Sequence, residues 1–482
     1  MSLIGFIVLY LLGTIALGVY AGTRVKTSKD YALAGRSLPL VMIITTTFAT
    51  WFGSETVLGI SSKFVEGGLN SVVEDPFGAS MCLVLVGAFF ARKLYRGNFL
   101  TIGDFYRERY GQGVEIFCSI AIIVSYLGWV AAQITAIGLV FNIVTDGALS
   151  VEWGMVVGTA SVLVYVVLGG MLAVAWTDFV QMIVLVIGLS VIAWLAGDAA
   201  GGPGKVLELA HERDWFRFWP EPTFNQIIFF IGAAVTMMLG SIPQQDVFQR
   251  VMAAKDAKTA VRGPIIGGLC YLAFAFVPMF IVACAVIIMP DQVKEFLDSE
   301  DAKQRILPML IMTHMPFAAK VIFFGALLSA IKSTSSATLL APSTSFVENI
   351  YKRLKPGMTD RQELRAFRIT LVIFTILVLI YAMTMRGKPI YEMVSGAYQI
   401  TLVGAFVPLV FGLYWQRSTT QGAIVSIVLG IASWLILMYS DYSEAFPPQL
   451  AGLLFALVGM VAGSLVPQAI KSRTAPGRLE HA

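Results

Sequence analysis

Apolar runs of about 20 residues recur along the whole chain, parted by short polar segments, and that length lets an α-helix cross the hydrocarbon core of a bilayer. The pattern predicts 13 helical spans, over 2–22, 39–66, 71–91, 114–145, 151–172, 174–197, 225–248, 263–289, 306–350, 367–386, 391–415, 420–440 and 448–468. The expected fold class is an all-α polytopic membrane protein.

Two spans are interrupted near mid-membrane. In the second, FATWFGSETVLGISS places small and polar residues over 49–53. In the seventh, MMLGSIPQQDVFQR carries Gly240, Ser241 and Pro243 near its centre. Proline removes a backbone donor and clashes with the preceding turn, so local unwinding is expected. Unwound backbone at membrane depth is tolerated only where it lines a cavity or is buried in protein. With the opening span set aside, each break falls in the first helix of a five-helix block, 39–197 and 225–415, and two further helices follow over 420–468. Broken helices in corresponding halves point to an inverted-repeat secondary transporter with its site at the midplane. Two ordinary kinks are the competing reading.

The ninth span contains FGALLSAIKSTSSATLLAPSTSFVEN, an apolar helix with small hydroxyl residues at its centre. At ~100° per residue, Ala330, Ser333, Thr334 and Ala337 share one narrow face. Two hydroxyl oxygens there, with carbonyls loosened nearby, make a half-site for a hard cation such as sodium. The alternative is that small residues merely ease helix packing.

Composition narrows the class. Of 482 residues, 57% are hydrophobic and 13% charged, against ~25% charged in a soluble domain. The net charge of +4 resides in alternate loops and implies no nucleic-acid partner. One side carries Arg24, Lys26, Lys29 and Arg36, then Arg92, Lys93, Arg96, Arg107 and Arg109, then Arg250, Lys255, Lys258 and Arg262. The densest set follows, Lys352, Arg353, Lys355, Arg361, Arg365 and Arg368, with Lys471, Arg473 and Arg478 in the tail. The opposite loops hold only Lys205, Arg213 and Arg217 over a long segment. By the positive-inside rule the amino terminus is outside and the carboxyl terminus cytoplasmic, which an odd span count satisfies. The expected location is the cell (inner) membrane, with the basic face contacting anionic lipid headgroups. The first span has no preceding basic residues and no small-residue cleavage site, so it reads as an anchor. Cys82, Cys118, Cys270 and Cys284 lie in apolar spans without metal-ligand spacing and read as packing residues. No phosphate-binding glycine loop or catalytic triad is present, so an enzyme or nucleotide-driven pump is not expected.

Five motifs then converge on a family. KTSKDYALAGRSLP, ATWFG, GGMLAVAWTDFVQ, LGSIPQQDVFQRVMAAKDAKTA and SAIKSTSSATLLAPSTSFVENIY, running from residue 26 to 352, resemble the sodium/solute symporter family of proline, pantothenate, sialic acid and high-affinity choline carriers. GSIPQQDVFQR and GGMLAVAWTDFVQ are most similar to the choline branch. The resemblance implies a leucine-transporter-like core of two inverted five-helix repeats. It also implies a sodium site formed by backbone carbonyls of Ala49, Phe52 and Ala330 with the hydroxyls of Ser333 and Thr334. The helical-face argument reaches Ser333 and Thr334 independently.

Some members of that family bind a second sodium through an acid in WTD and further serines. Asp178, Ser333 and Ser336 match this pattern, but Ala337 stands where another hydroxyl would be, and Lys332 occupies a position usually apolar. A charge at membrane depth is costly and is usually functional and paired. On a helical wheel Lys332 lies ~40° from Ser336 and ~160° from Thr334. Three readings stand side by side. Its ammonium replaces the second sodium, paired with Asp178; or it titrates and makes the carrier proton-coupled; or it snorkels along a crevice.

Substrate contacts are expected beside the breaks: Thr50, Trp51 and Glu55, then Glu74 and Asp75, Trp129 and Gln133, and Gln244 and Gln245. Trp129 and Gln133, four apart, share one side of a helix. Aromatic faces with carboxylates suit a cationic or zwitterionic amine, although choline carriers hold a tryptophan where this chain has Gln244. Glu74 and Asp75 read equally well as a structural pair at the outer end of a helix. Segments 198–224 and 290–305 are the longest outer loops and suit short gating helices. Asp360 and Glu363 read as an ordinary capped helix start. The expected function is sodium-coupled import of a small polar organic solute, without an obligate protein partner. A solute sensor on the same scaffold would need a cytoplasmic output domain, whereas only residues 469–482 follow the last span. A channel would need a continuous polar stripe, and none is visible.

Overall fold

A computed structural model describes residues 2–299 and 302–470. Lys471, Arg473 and Arg478 of the tail, and residues 300 and 301 of the 290–305 loop, lie outside the described residues. Within them the regular structure is helical, with one isolated backbone pairing between Leu38 and Ala254. Ten helices are long and apolar enough to cross a membrane, or eleven when the bent pair Phe224–Gly240 and Gln245–Ala253 counts as one span.

Both expected breaks are present. The Leu40–Trp51 helix ends at Phe52, whose φ of −89° and ψ of 69° leave the helical region, and helical structure resumes at Glu55. The Phe224–Gly240 and Gln245–Ala253 helices meet at 44°. Glycine is required at both breaks by close approach. A Cβ on Gly240 would strike the Tyr398 carbonyl, and one on Gly53 would lie 2.6 Å from the Thr334 hydroxyl and 2.5 Å from the Glu55 carboxylate. At one end the two broken helices are tied together, because Leu38 N–H donates to Ala253 and Lys255 N–H donates to Leu38, each at 3.0 Å.

Some boundaries differ from the sequence pattern. The helical stretch Val151–Ala199 runs over both the fifth and sixth expected spans, and its interruption is confined to Gly170, at φ 48° and ψ −140°. A Cβ there would collide with the Tyr31 carbonyl, so a single residue makes the turn. The ninth expected span starts late. Ile306–His314 is a separate short helix and the long one begins at Phe317, because Pro316 drives Met315 to an extended conformation. Three short helices, Ser28–Leu33, Ile102–Tyr110 and Pro203–Glu212, occupy loops. Pro203–Glu212 and Pro290–Leu297 fall in the two segments expected to hold short helices.

Small residues bring helices into contact where lipid offers no hydrophobic drive between them. Gly18 and Gly22 of Leu3–Gly22 abut Tyr165 and Gly169, and Gly422, Gly430, Gly452, Gly459 and Gly463 seat Thr420–Met438 against Pro448–Leu465. Cys82, Cys118 and Cys284 are buried packing residues, whereas Cys270 is exposed on the outer surface of the bundle.

Arg250 is the main correction to the charge pattern. Counted among loop basics, it is 1% exposed inside the protein. Arg353 is also not simply solvated: it reaches the buried Glu115 carboxylate at 3.2 Å, alongside Arg107 at 3.3 Å. Asp360, beyond starting a helix whose cap is Thr359, accepts from the Ser28 amide and hydroxyl and so binds that loop helix.

Candidate ion and solute site

At the first break the backbone is left with free acceptors. Ser54 N–H, which a continuous helix would aim at the Thr50 carbonyl, donates to Gln133 Oε1 at 3.0 Å. Among the described residues, no backbone N–H reaches the carbonyls of Ala49 or Phe52. Facing this break across Gly53 is Thr334, whose hydroxyl is buried without a partner. Its neighbour Ser333 donates to Asp178 Oδ1 at 2.6 Å, which leaves the serine oxygen's lone pairs free. Ala330 is fully buried one turn earlier on the same helix. A buried polar atom left unsatisfied is rare enough to need an explanation. Neutral oxygens beside unwound backbone fit a hard, singly charged cation.

Above the break lies an aromatic and acidic cluster. Glu55, 2% exposed, accepts from Trp129 Nε1 at 3.0 Å and from Gln133 Nε2 at 2.6 Å. Their four-residue spacing on Gln112–Val144 places both donors on one face, as the sequence indicates. Trp51 stacks on Tyr398 with centroids 6.0 Å apart and meets Trp129 edge-on at 5.8 Å. Trp51 Nε1 and the Tyr398 hydroxyl are buried and unpartnered. Tyr398 carried no sequence signal, since it lies in an unbroken apolar span. Its position is set by the second break, where Thr401, one turn on, donates to the Gly240 carbonyl at 2.6 Å.

The remaining candidates scatter. Gln244 bonds Ser125 at 2.9 Å, one turn from Trp129, and so adjoins the cluster. Gln245 does not: its Oε1 accepts from Ile102 N–H at 2.9 Å at the start of the Ile102–Tyr110 helix. Thr50 is engaged by Arg250. Asp75 accepts from Tyr271, whose hydroxyl lies 3.0 Å from that of Thr56, while Glu74 bonds Ser395 at 2.9 Å in a separate cavity.

Lys332 is a second correction. Its ammonium donates to the Thr14 hydroxyl at 2.7 Å and lies 5.5 Å from the centroid of the Tyr165 ring. Asp178 instead accepts from Ser333 and Thr46. The expected Lys332–Asp178 pair is not formed, because the lysine stem follows its helix face toward Leu3–Gly22. Ser336 turns its hydroxyl back to the Ser333 carbonyl at 2.8 Å.

The profile of the sodium:solute symporter family matches residues 31–430. The chain belongs to the sodium:solute symporter family. Curated relatives from this family's range of substrates include a high-affinity choline transporter of Caenorhabditis elegans, 24% identical over 95% of this chain and 84% of the relative. A sodium/pantothenate symporter of Escherichia coli is 26% identical over 96% of this chain and 97% of its own length. Choline carriers among the relatives agree with the branch that the GSIPQQDVFQR and GGMLAVAWTDFVQ motifs suggest. Among solved structures, a Na+-coupled sialic acid symporter in a substrate-bound outward-open state superposes with a TM-score of 0.83 at 20% identity, covering 96% of this chain and 97% of that one. A nucleobase-cation-symport-1 family transporter superposes at 0.60 with 14% identity, covering 90% and 93%. These likenesses establish the transporter fold of the symporter.

Proposed function

We propose that the chain is a sodium-coupled importer of a small polar organic solute, a cationic or zwitterionic amine, operating by alternating access. Thirteen spans follow when each broken helix counts once, the helical stretch Glu55–Arg96 is divided at Gly68, and Val151–Ala199 is divided at Gly170. The repeats are 39–197 and 225–415, with the amino terminus outside the inner membrane and the carboxyl terminus cytoplasmic. The observation that carries the reading is the unpartnered Thr334 hydroxyl set against the unwound backbone at Gly53. Sodium, as co-substrate, is held by the carbonyls of Ala49, Phe52 and Ala330 and the hydroxyls of Ser333 and Thr334. Binding there links the broken helix to Phe317–Ser345, so ion occupancy biases the conformation that admits solute.

The solute class rests on charge. Glu55, Glu74 and Asp75 are buried, and no Lys or Arg forms an ion pair with any of them among the described residues. A buried carboxylate needs compensation. A cation such as the choline carried by the relatives supplies it, whereas an anionic solute would add repulsion. Trp51, Trp129 and Tyr398 provide aromatic rings for an ammonium group, and Gln133 and Gln244 provide amides. Asp178 and Ser336 remain the second-ion region, with Lys332 directed away from it.

Uptake of labelled amines into proteoliposomes tests the proposal. Replacing sodium chloride outside by potassium chloride should abolish uptake, and Thr334→Val should raise the half-saturating sodium concentration at least tenfold, about 1.4 kcal/mol. Uptake unaltered in potassium medium would overturn sodium coupling. Counterflow of labelled solute, which a sensor lacks, separates a carrier from a sensor.

A further inference from the structure

We propose a second organic-ammonium site, outside the central cluster, in the cavity that contains Glu74; the assignment rests on the amine reading of the solute. The cavity has a volume of ≈ 500 Å³ and is bounded by Asn70, Glu74, Gln226, Phe229, Phe230 and Tyr391. It opens at the end of the bundle where the 67–72 turn and the 212–224 loop meet. That turn is held in place by a main-chain bond from Leu69 to the Trp215 carbonyl at 2.9 Å and by Asn70 Nδ2 donating to the Phe218 carbonyl at 2.8 Å. The volume accommodates a compact amine with a few waters.

Glu74 gives the cavity its chemistry. The residue is 7% exposed, one carboxylate oxygen accepts from Ser395, and the other is buried with no partner. No lysine or arginine pairs with it among the described residues. A carboxylate so placed lacks both a counter-charge and part of its hydrogen bonding. An ammonium in the cavity supplies the charge, and the rings of Phe229, Phe230 and Tyr391 supply cation–π partners. The amides of Asn70 and Gln226 are occupied by Phe218 and Glu221, so recognition falls to the acid and the rings.

The cavity is also joined to the centre. Asp75, next to Glu74, receives hydrogen bonds from the Tyr271 hydroxyl and lends its own N–H to the Tyr391 hydroxyl at 3.3 Å. Tyr271 meets Thr56, which donates to the Trp51 carbonyl at 3.1 Å. Glu74, Asp75 and Glu55 therefore form a descending series of acids from cavity to cluster. An amine captured at Glu74 has Asp75 and then Glu55 next along this series.

The test uses the full chain in nanodiscs, sodium present, titrated calorimetrically with tetramethylammonium chloride as the minimal probe. Wild type should show two binding events, of which Glu74→Gln removes or weakens one at least tenfold and Glu55→Gln the other. A single event lost in Glu55→Gln and untouched in Glu74→Gln overturns the second site and leaves the central reading standing. A single event lost only in Glu74→Gln upholds this site and refutes the central amine cluster. Absence of any event refutes both. A second readout is independent of the folding of Glu74→Gln. Ala233 also lines the cavity, and in an Ala233→Cys, Cys270→Ser protein tetramethylammonium should slow labelling by a cationic thiol reagent. Labelling at an unchanged rate counts against the site.

Discussion

Arg250 and Lys332 are both sequestered from solvent, at 1% and 0% exposure, yet their surroundings differ in kind. The Arg250 guanidinium donates to the Thr46 carbonyl at 3.4 Å, the Asp246 carbonyl at 2.7 Å and the Thr50 hydroxyl at 2.5 Å. Asp178 and Asp246 lie within its electrostatic reach. A planar fork of five donors can be satisfied by backbone and hydroxyl oxygens while its charge is balanced at longer range. Lys332 is a point charge with one hydroxyl acceptor, one aromatic ring and no carboxylate in ion-pair range among the described residues. The first cation couples the two broken helices to each other. The second sits against the helix Leu3–Gly22.

The comparison is broken most forcefully at Arg250. Arg250→Ala strips the counter-charge from two buried acids and removes one of the links between the broken helices, so stability should fall by about 3–5 kcal/mol. Scanning fluorimetry in nanodiscs should show a large drop in melting temperature together with loss of uptake. An unchanged melting temperature would mean that the network carries no weight. Next in size, Lys332→Met removes a charge costing about 2.5–3.5 kcal/mol at membrane depth, so the melting temperature should rise. Because Lys332 bonds Thr14 and not Asp178, the Hill slope for sodium should stay at its wild-type value. A changed slope would restore the ammonium as an ion substitute. The smallest effect is expected from Thr14→Val, a loss of about 1.5–3 kcal/mol from a bond to a charged group. That loss should vanish in the Lys332→Met background, since the two side chains act as one pair.

Much of the proposed ion half-site was legible in the sequence. Ser333 and Thr334 share a face through helical spacing alone, and Gly53 and Gly240 mark breaks through the residues flanking them. The solute side was legible only in part. Trp129 and Gln133 share one helix and so converge on Glu55 together, but Glu74 and Gln245 were grouped with them merely by nearness to a break. Glu74 lies in another cavity, and Gln245 binds the start of the Ile102–Tyr110 helix. Tyr398 was invisible, because an aromatic residue in an apolar span looks the same whether it faces lipid or a site.

What the chain's order of residues determined by itself was its class, its breaks and its family, because hydrophobic run length, proline and glycine chemistry, and contiguous motifs are all local properties. Tertiary structure decided which way the buried polar side chains face. A helix such as Phe317–Ser345, buried along its centre and carrying hydroxyls on every side there, has no single polar face to reveal its rotation. The partner of Lys332, the burial of Arg250 and the separation of Glu74 from Glu55 were therefore settled only when neighbouring helices packed.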